Sequence, residues 1–233
     1  PHRKAETAMK LGLLFSGGKD SCLALHRAVA AGHEVACLLT LLPERDDSWM
    51  FHTPALEWTA LQAEALDIAQ LTAATPGEPE AELADMQALL ARAVCETGIA
   101  GVVTGALAST YQATRIQRAC ADLGLWCFNP LWQLPQTQLL EMLLAERYEV
   151  VVTAVAADGL GPEWLGRRLD RAAVDELLAL ADRYGLNPAG EGGELETLVL
   201  DAPLFRQQLR LVETSPEFRA GAGRLQIRKA VLA

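Results

Sequence analysis

The sequence lacks the features of a secreted protein, of a membrane-spanning protein and of a protein that folds around a structural metal ion. Its five cysteines are scattered, and no Cys-x-x-Cys pair occurs among them, which argues against a disulfide framework and against a zinc site. No apolar run approaches the ~20 residues that a membrane-spanning helix needs, and the polar start is unlike a secretion signal. Residues 1–8 precede a candidate initiator at Met9, show no fold pattern and are expected to be a leader. We therefore expect a cytoplasmic protein whose cysteines are small core residues.

Positive charge is also scarce. The chain has 20 Lys and Arg against 30 Asp and Glu, which gives a net charge of −10 at pH 7. Non-specific binding of nucleic acid needs clustered basic side chains, so we expect no nucleic-acid partner, although a local basic patch stays open. With 233 residues, 51% of them hydrophobic, the chain is long and apolar enough for one or two globular domains.

The most informative stretch is residues 16–21, Ser-Gly-Gly-Lys-Asp-Ser, which we call the Gly-Gly loop. It follows an apolar run typical of a buried strand and precedes a run typical of a helix. Gly17 and Gly18 permit positive φ and close approach, so that backbone N–H groups can surround an anion at the helix start. Lys19 adds a cation, and the hydroxyls of Ser16 and Ser21 can donate to phosphate oxygens. The pattern predicts a phosphate-binding loop.

Two commoner phosphate loops do not fit this spacing. A Walker A loop needs glycine at Leu13 and Ser or Thr at Asp20, and a dinucleotide fingerprint needs separated glycines. The structural alternative is a tight turn in which Asp20 or Ser21 merely caps a helix. The six-residue string directly after a first strand favours phosphate binding.

The remaining pattern predicts an α/β protein with a parallel sheet flanked by helices and a smaller C-terminal α+β domain. Strands are expected over residues 10–15, 34–41, 69–75, 99–105, 125–128 and 149–155, with three further β segments over 197–200, 208–213 and 224–231. The proline-marked junction 129–135 indicates a boundary between domains 9–133 and 134–233.

Ligands of open parallel sheets bind beyond the carboxyl ends of the strands. The residues expected at this edge are Thr40, the loop 43–49, Gly105 and the helix that follows Gly105. On that helix Tyr111 and Arg115 share one face, and we favour Arg115 as a phosphate or substrate contact over a solvated position. His52 either lies at the site or only fixes the start of a helix, and both interpretations stay open.

A second cluster lies in residues 187–205, where three glycines in four positions flank acidic side chains. A flexible acidic turn is one interpretation of this composition. The other is that the glycines let the backbone approach a ligand while Glu191, Glu194 and Glu196 hold ammonium, a cationic substrate or magnesium.

The Gly-Gly loop resembles the pyrophosphate loop of the N-type ATP pyrophosphatases, which have a HUP-like sheet. That resemblance implies cleavage of ATP to AMP and pyrophosphate during activation of a carboxylate, carbonyl or related group. Six segments then stand in the order found in the diphthine–ammonia ligase family: residues 16–21, 50–54, 111–115, 130–132, 159–166 and 190–205.

This family resemblance implies ATP-dependent amidation of diphthine on translation elongation factor 2, with ammonium as nitrogen donor. It implies ATP and Mg²⁺ as cofactors, with Asp20 as the metal ligand. The catalytic assignments are Lys19, Asp20, Glu191 and Glu194. The ATP-binding assignments are Ser16, Gly17, Gly18, Lys19, Asp20, Ser21, Thr40, Met50, His52, Gly105 and Arg115. The substrate-binding assignments are Tyr111, Gln112, Trp132, Gly190, Gly192, Gly193, Glu196 and Thr197.

The chain departs from the family pattern at two positions: Ala113 replaces an expected Arg, and Ala106 stands where an acidic residue is usual. Both changes bear on the substrate. One alternative is a related ATP pyrophosphatase that amidates or thiolates a small molecule or tRNA, which the scattered cysteines disfavour. The other is a non-catalytic ATP-binding module. Trp132 or Trp164 is a candidate cation–π contact for a quaternary ammonium. The oligomeric state, a homo-oligomer included, stays open.

Overall fold

Strand β1 lies at the centre of a parallel sheet and is covered on both faces. In the computed structural model, which describes residues 8–43, 56–76 and 79–233, Leu11 and Leu13 are fully buried. A strand buried on both faces has a continuous apolar sequence, and this accounts for the run before the Gly-Gly loop. Met50, His52 and most of the loop 43–49 lie outside the described residues.

The first sheet has five parallel strands in the order β3-β2-β1-β4-β5. The strands are β1 (Lys10–Leu14), β2 (Glu34–Pro43), β3 (Gln70–Thr75), β4 (Gly101–Val103) and β5 (Trp126–Phe128). The helices along this part are α1 (Lys19–Ala30), α2 (Thr59–Leu66), α3 (Pro79–Thr97) and α4 (Thr110–Asp122). Apolar side chains of α3 and α4, such as Met86, Leu90 and Ile116, cover one face of the sheet, while α1 and α2 contribute to the core on the other face.

The second sheet is antiparallel and has the order β7-β6-β9-β8. It contains β6 (Glu149–Val155), β7 (Leu195–Asp201), β8 (Leu209–Arg219) and β9 (Ala222–Leu232), and it is accompanied by α5 (Gln136–Ala145) and α6 (Arg171–Tyr184). Its inner face joins one core that runs from Leu11 in β1 to Ile227 in β9. In the described part of the chain, no helix is long and apolar enough to cross a bilayer.

The expected fold class is confirmed, with two differences in strand length. The predicted strand 99–105 forms ladder pairs only over β4, although the Ala100 N–H still donates to Lys10 of β1 and the Thr104 N–H to Phe128 of β5. The predicted segment 208–213 extends to Arg219 in β8. Pro216 is tolerated there because β8 is the edge strand of its sheet. The domain boundary at 133/134 stays a prediction.

Candidate active site

A cavity of about 550 Å³ lies at the carboxyl ends of β1 and β4. Its walls are the Gly-Gly loop with the start of α1, the segment after β4 with the start of α4, and residues 190–196. The lining residues are Leu14, Phe15, Ser16, Asp20, Ser21, Thr104, Gly105, Ala106, Ser109, Tyr111, Gln112, Ile116, Gly190, Glu191, Gly192, Gly193 and Glu196. Because two helices begin at this cavity, their positive dipole ends favour an anion there.

The Gly-Gly loop turns sharply between strand and helix. Gly17 has φ of +76°, in the left-handed region that glycine adopts without strain. Helix α1 begins after Gly18, which has no side chain to cap the helix, and neither Asp20 nor Ser21 takes the N-cap position. The capping role considered for Asp20 or Ser21 is therefore not observed. The hydroxyls of Ser16 and Ser21 lie 3.3 Å apart, and both residues line the cavity.

Strand β7 of the second sheet backs the Gly-Gly loop. The Lys19 N–H donates to the hydroxyl oxygen of Thr197 at 3.2 Å, and the Val199 N–H donates to the Gly17 carbonyl at 3.0 Å. A Cβ atom added to Gly18 would lie 3.2 Å from the Thr197 carbonyl oxygen, so the two backbones pack closely. The loop is thus held on the side away from the cavity, which explains why Gly17, Gly18 and Lys19 do not line it.

Buried polar side chains hold the strand that leads into the loop. The Thr40 hydroxyl donates to the Phe15 carbonyl at 2.8 Å and accepts from the side-chain amide of Gln70 at 2.9 Å. Thr40 is 1% exposed and does not line the cavity, so its contact is with the loop backbone. Gln62 in α2 contacts the loop in the same way and was not identified from the sequence.

Gly105, in contrast, lies directly against the start of α1. A Cβ atom at this position would be 2.9 Å from the carbonyl carbon of Asp20 and 2.9 Å from the nitrogen of Ser21. Glycine therefore allows the segment after β4 to pack against the first turn of the helix. This contact brings the two halves of the cavity wall together.

Lys19 and Asp20 form a close ion pair at the edge of the cavity. The Lys19 ammonium lies 2.9 Å from Oδ2 of Asp20, and the Lys19 side chain is only 4% exposed. The second oxygen of Asp20, Oδ1, is buried and has no hydrogen-bond partner among the described residues. A lone carboxylate oxygen beside a phosphate site fits Mg²⁺, which takes one or two carboxylates together with phosphate oxygens and water.

The opposite wall is acidic. Glu191 accepts a hydrogen bond from the Ala108 N–H at 3.1 Å, which links the second glycine cluster to the segment before α4. Burial raises the pKa of Glu191, and repulsion from Asp20 acts in the same direction. Burial also raises the pKa of Glu196 to about 8, with Asp20 adding to the effect and Lys19 opposing it.

Glu194 does not line the cavity. Its carboxylate accepts from the backbone and side-chain nitrogens of Asn187 at 2.9 and 2.8 Å and from the Gly192 N–H at 2.7 Å. These bonds close residues 187–194 into a turn. Its contacts are those of a residue that shapes the turn, whereas Glu191 and Glu196 carry the carboxyl groups that face the cavity.

Helix α4 brings Tyr111 and Gln112 to the cavity. The guanidinium of Arg115 donates to the Tyr111 hydroxyl at 2.6 Å and lies over the Tyr111 ring. Arg115 is therefore in contact with a residue that lines the cavity but does not line it itself. Of the two departures from the family pattern, Ala106 lines the cavity, whereas Ala113 is buried at 3% exposure and does not. Only the loss of an acidic side chain at position 106 changes the lining directly.

The two tryptophans considered as cation–π contacts lie away from the cavity lining. Trp164 is fully buried, and the guanidinium of Arg167 lies 4.3 Å from the centre of its ring. That face is therefore already occupied by a cation of the same chain. Trp132 is half-buried in a turn closed by the bond from its N–H to the Asn129 carbonyl.

All five cysteines belong to the described part of the chain; they are free, and none lines the cavity. Burial raises the pKa of the Cys22 and Cys37 thiols, which disfavours the thiolate form needed for sulfur transfer. The Cys127 thiol donates to the side-chain oxygen of Asn129 at 3.6 Å.

Sequence comparison shows that the chain is similar to one group of proteins. A family model described as the diphthamide synthase N-terminal domain matches residues 9–127, and one described as the diphthamide synthase C-terminal domain matches residues 136–233. A diphthine–ammonia ligase from Bos taurus is 33% identical over 226 residues, which cover 89% of this chain and 84% of the relative. The Homo sapiens protein of the same name is 33% identical over 229 residues, with the same coverage of each chain.

Another relative is much longer than this chain. The diphthine–ammonia ligase of Schizosaccharomyces pombe is 37% identical over 221 residues, but the match covers 88% of this chain and only 36% of the relative. A solved structure from Methanocaldococcus jannaschii, described as a predicted subunit of tRNA methyltransferase, aligns with 84% of this chain and 98% of its own. Its TM-score is 0.45 and its identity 17%, a likeness too distant to carry an argument.

Proposed function

The chain belongs to the diphthamide synthase family, and on that premise we propose that it amidates the side-chain carboxylate of diphthine with ammonia while ATP is cleaved to AMP and pyrophosphate. The observation that carries the proposal is the cavity in which a phosphate-type loop at two helix starts faces a wall of carboxyl groups. The reaction needs both, because it combines a polyanion with a cationic nitrogen donor.

In the first half of the proposed reaction, the substrate carboxylate attacks the α phosphorus of ATP and pyrophosphate leaves. The Gly-Gly loop would hold the β and γ phosphates through the Ser16 and Ser21 hydroxyls and the N–H groups at the start of α1. Lys19, buried beside Asp20, supplies positive charge at the loop. Asp20 would hold Mg²⁺, which neutralises charge on the phosphate oxygens. Catalysis then consists of positioning and charge stabilisation, and no nucleophilic side chain is required.

In the second half, ammonia displaces AMP from the acyl-adenylate and forms the amide. The acidic wall attracts the ammonium ion from which ammonia derives, whereas the nucleotide would occupy the side of the cavity near the helix starts. Tyr111 and Gln112, in the first turn of α4, also line the cavity and are the side chains we assign to the substrate.

The proposed protein substrate is translation elongation factor 2 carrying diphthine, and a cytoplasmic location is part of the same proposal. The relatives named diphthine–ammonia ligase support diphthine as the group that is amidated. Cavity and substrate are compatible in one further respect: the cavity is partly open to solvent, as a site must be that receives a side chain of another protein.

The test is to incubate the protein with ATP, ammonium and elongation factor 2 carrying diphthine. We expect AMP and pyrophosphate in equal amounts and the mass change of amidation on the modified histidine. A Ser16→Ala, Ser21→Ala double variant, which lacks both loop hydroxyls, should lose turnover. Formation of ADP would contradict the mechanism. ATP cleavage that depends on a different carboxylate, with none on diphthine, would contradict the substrate.

A further inference from the structure

We propose that Glu191 and Glu196 form the binding site for the ammonium ion and that Glu196 accepts the proton which ammonium loses before it attacks. This inference rests on the amidation proposed above and assigns the nitrogen donor to named side chains. It also separates these two residues from Glu194, the third glutamate of the cluster.

The positions of both glutamates are fixed relative to the Gly-Gly loop. Glu196 lies in β7 directly before Thr197, whose hydroxyl binds the Lys19 N–H of that loop. Glu191 is held through the Ala108 N–H at the start of the α4 segment. Both side chains line the cavity, so a small ion bound by them lies beside the nucleotide.

The carboxyl group of Glu196 has no partner that would explain its burial. Glu196 is half-buried and lines the cavity, and among the described residues no hydrogen bond or ion pair to its side chain is present. An unpaired buried carboxylate costs free energy and is stabilised by a proton or by a cation. A cation that binds beside Glu196 can therefore replace the proton as the group that stabilises this carboxyl.

The charges around Glu196 favour a cation that can give up a proton, such as ammonium. Burial raises the pKa of Glu196 to about 8, Asp20 and Glu191 add to the rise, and Lys19 opposes it. A base whose pKa lies near the working pH is the most effective proton acceptor, and an ordinary carboxylate would be too weak for ammonium. The nearby Glu194 is committed to Asn187 and Gly192, so it offers no comparable base.

A small hydrogen-bonding cation suits a wall with two carboxyl groups. Ammonium needs only acceptors for its N–H groups, and two carboxylates provide them. The magnesium ion is assigned to Asp20 on the phosphate side.

The proposed step begins with a proton transfer, in which an N–H proton of ammonium moves to the Glu196 carboxylate and leaves neutral ammonia. The nitrogen lone pair forms a C–N bond with the carbonyl carbon of the acyl-adenylate, and the C–O bond to AMP breaks with its electron pair on the phosphate oxygen. The nitrogen loses a second proton as the amide forms, and this proton and the one on Glu196 leave to solvent.

Hydroxylamine makes a direct test possible, because it is uncharged at neutral pH and needs neither a cation site nor a proton acceptor. The wild type and Glu196→Gln are compared with ammonium and with hydroxylamine as nucleophile, on elongation factor 2 carrying diphthine. We expect Glu196→Gln to lose about tenfold or more in kcat/KM for ammonium, the scale of a lost charge-assisted contact. Hydroxamate formation and substrate-dependent exchange of pyrophosphate into ATP should stay within about twofold.

The matched control is Glu96→Gln, an exposed glutamate in α3 that pairs with Arg92. This variant should behave as wild type with both nucleophiles. Equal losses with ammonium and hydroxylamine in Glu196→Gln would show a role in nucleotide binding or folding and overturn the ammonium site. Unchanged use of ammonium would overturn it as well. Failure of the wild type to form a product with either nucleophile would instead refute the amidation itself.

Discussion

The side-chain amide of Gln62 donates to the carbonyl oxygen of Gly17 at 2.9 Å, across 45 positions of the chain. The same nitrogen donates to the Val199 carbonyl at 2.8 Å, and the side chain is fully buried. Gln62 therefore joins α2, the Gly-Gly loop and β7 at one point. Its oxygen is close enough that a Cβ atom at Gly17 would lie 2.1 Å from it, so the glycine is required for this contact as well as for its φ.

Replacement of Gln62 by Met, which has a similar shape, removes the donor to the Val199 carbonyl and one of the two donors to the Gly17 carbonyl, which keeps the Val199 N–H. An unsatisfied buried carbonyl costs about 1–3 kcal/mol, so we expect a lower free energy of unfolding and weaker ATP binding. Urea unfolding and calorimetric titration with ATP measure the two effects. Gln138→Met, at an exposed position of α5, is the control and should change neither. An unaltered ATP affinity in Gln62→Met would argue against positioning of the loop by this residue.

Two buried threonines provide a matched pair. Thr197→Val removes the acceptor of the Lys19 N–H and should cost about 1–3 kcal/mol of stability. Thr153 is also fully buried, but its hydroxyl has no hydrogen-bond partner in the described part, so Thr153→Val should be neutral or stabilising. Chemical denaturation of both variants tests this. Equal losses would mean that the contact between β7 and the loop contributes nothing specific.

A methyl group at Gly105 should affect the nucleotide more than the fold. The added Cβ would lie 2.9 Å from backbone atoms of Asp20 and Ser21, so the first turn of α1 must move. We expect Gly105→Ala to weaken ATP binding by about tenfold or more, since displacements near 1 Å have effects of this size. Gly98→Ala, strained by its φ of +68° in open space, should lose about 1 kcal/mol of stability and bind ATP normally.

The raised pKa of Glu196 should make stability depend on pH. In the unfolded chain this carboxyl ionises near 4.5, whereas in the folded protein it keeps its proton up to about 8. The folded state binds more protons across that window, so its stability falls as pH rises through it. Glu196→Gln lacks this penalty. Its advantage over wild type should be absent at acid pH, grow from about pH 5 and reach a few kcal/mol above about pH 8.

Thermal or urea unfolding of both proteins across this range, without ligands, measures the difference. A constant difference between wild type and Glu196→Gln at all pH values would contradict a carboxyl group that titrates near pH 8. Glu96→Gln again provides the control, because the side chain of Glu96 is exposed and does not line the cavity.

The sequence predicted those parts of the fold that depend on local pattern. The apolar run before Gly17 and the helix after it gave the loop, and the strand and helix alternation gave the parallel sheet. Three glycines at positions 190, 192 and 193 indicated a ligand wall, and these residues do line the cavity. Such features are recognisable because a turn, a strand or a close approach restricts the residue types that can occupy it.

What could not be predicted depends on contacts between distant segments. Gln62 lies among small apolar residues of α2, where a helical pattern predicts Leu61 as the core position. In the structure Gln62 is buried instead, because its amide binds carbonyls 45 and 137 positions away. The sequence also could not predict that Glu194 and Glu196 make different contacts. Both lie in one acidic stretch, and only the fold determines which carboxylate accepts a hydrogen bond from a backbone N–H.

The contact between Lys19 and Thr197 spans 178 positions, and this separation has a consequence for biosynthesis. The Gly-Gly loop leaves the ribosome early, but the strand that backs it is synthesised roughly 10–40 s later at 5–20 residues per second. Until then the nascent chain carries the loop without its support. We therefore expect the loop to reach its final shape only after β7 has been synthesised.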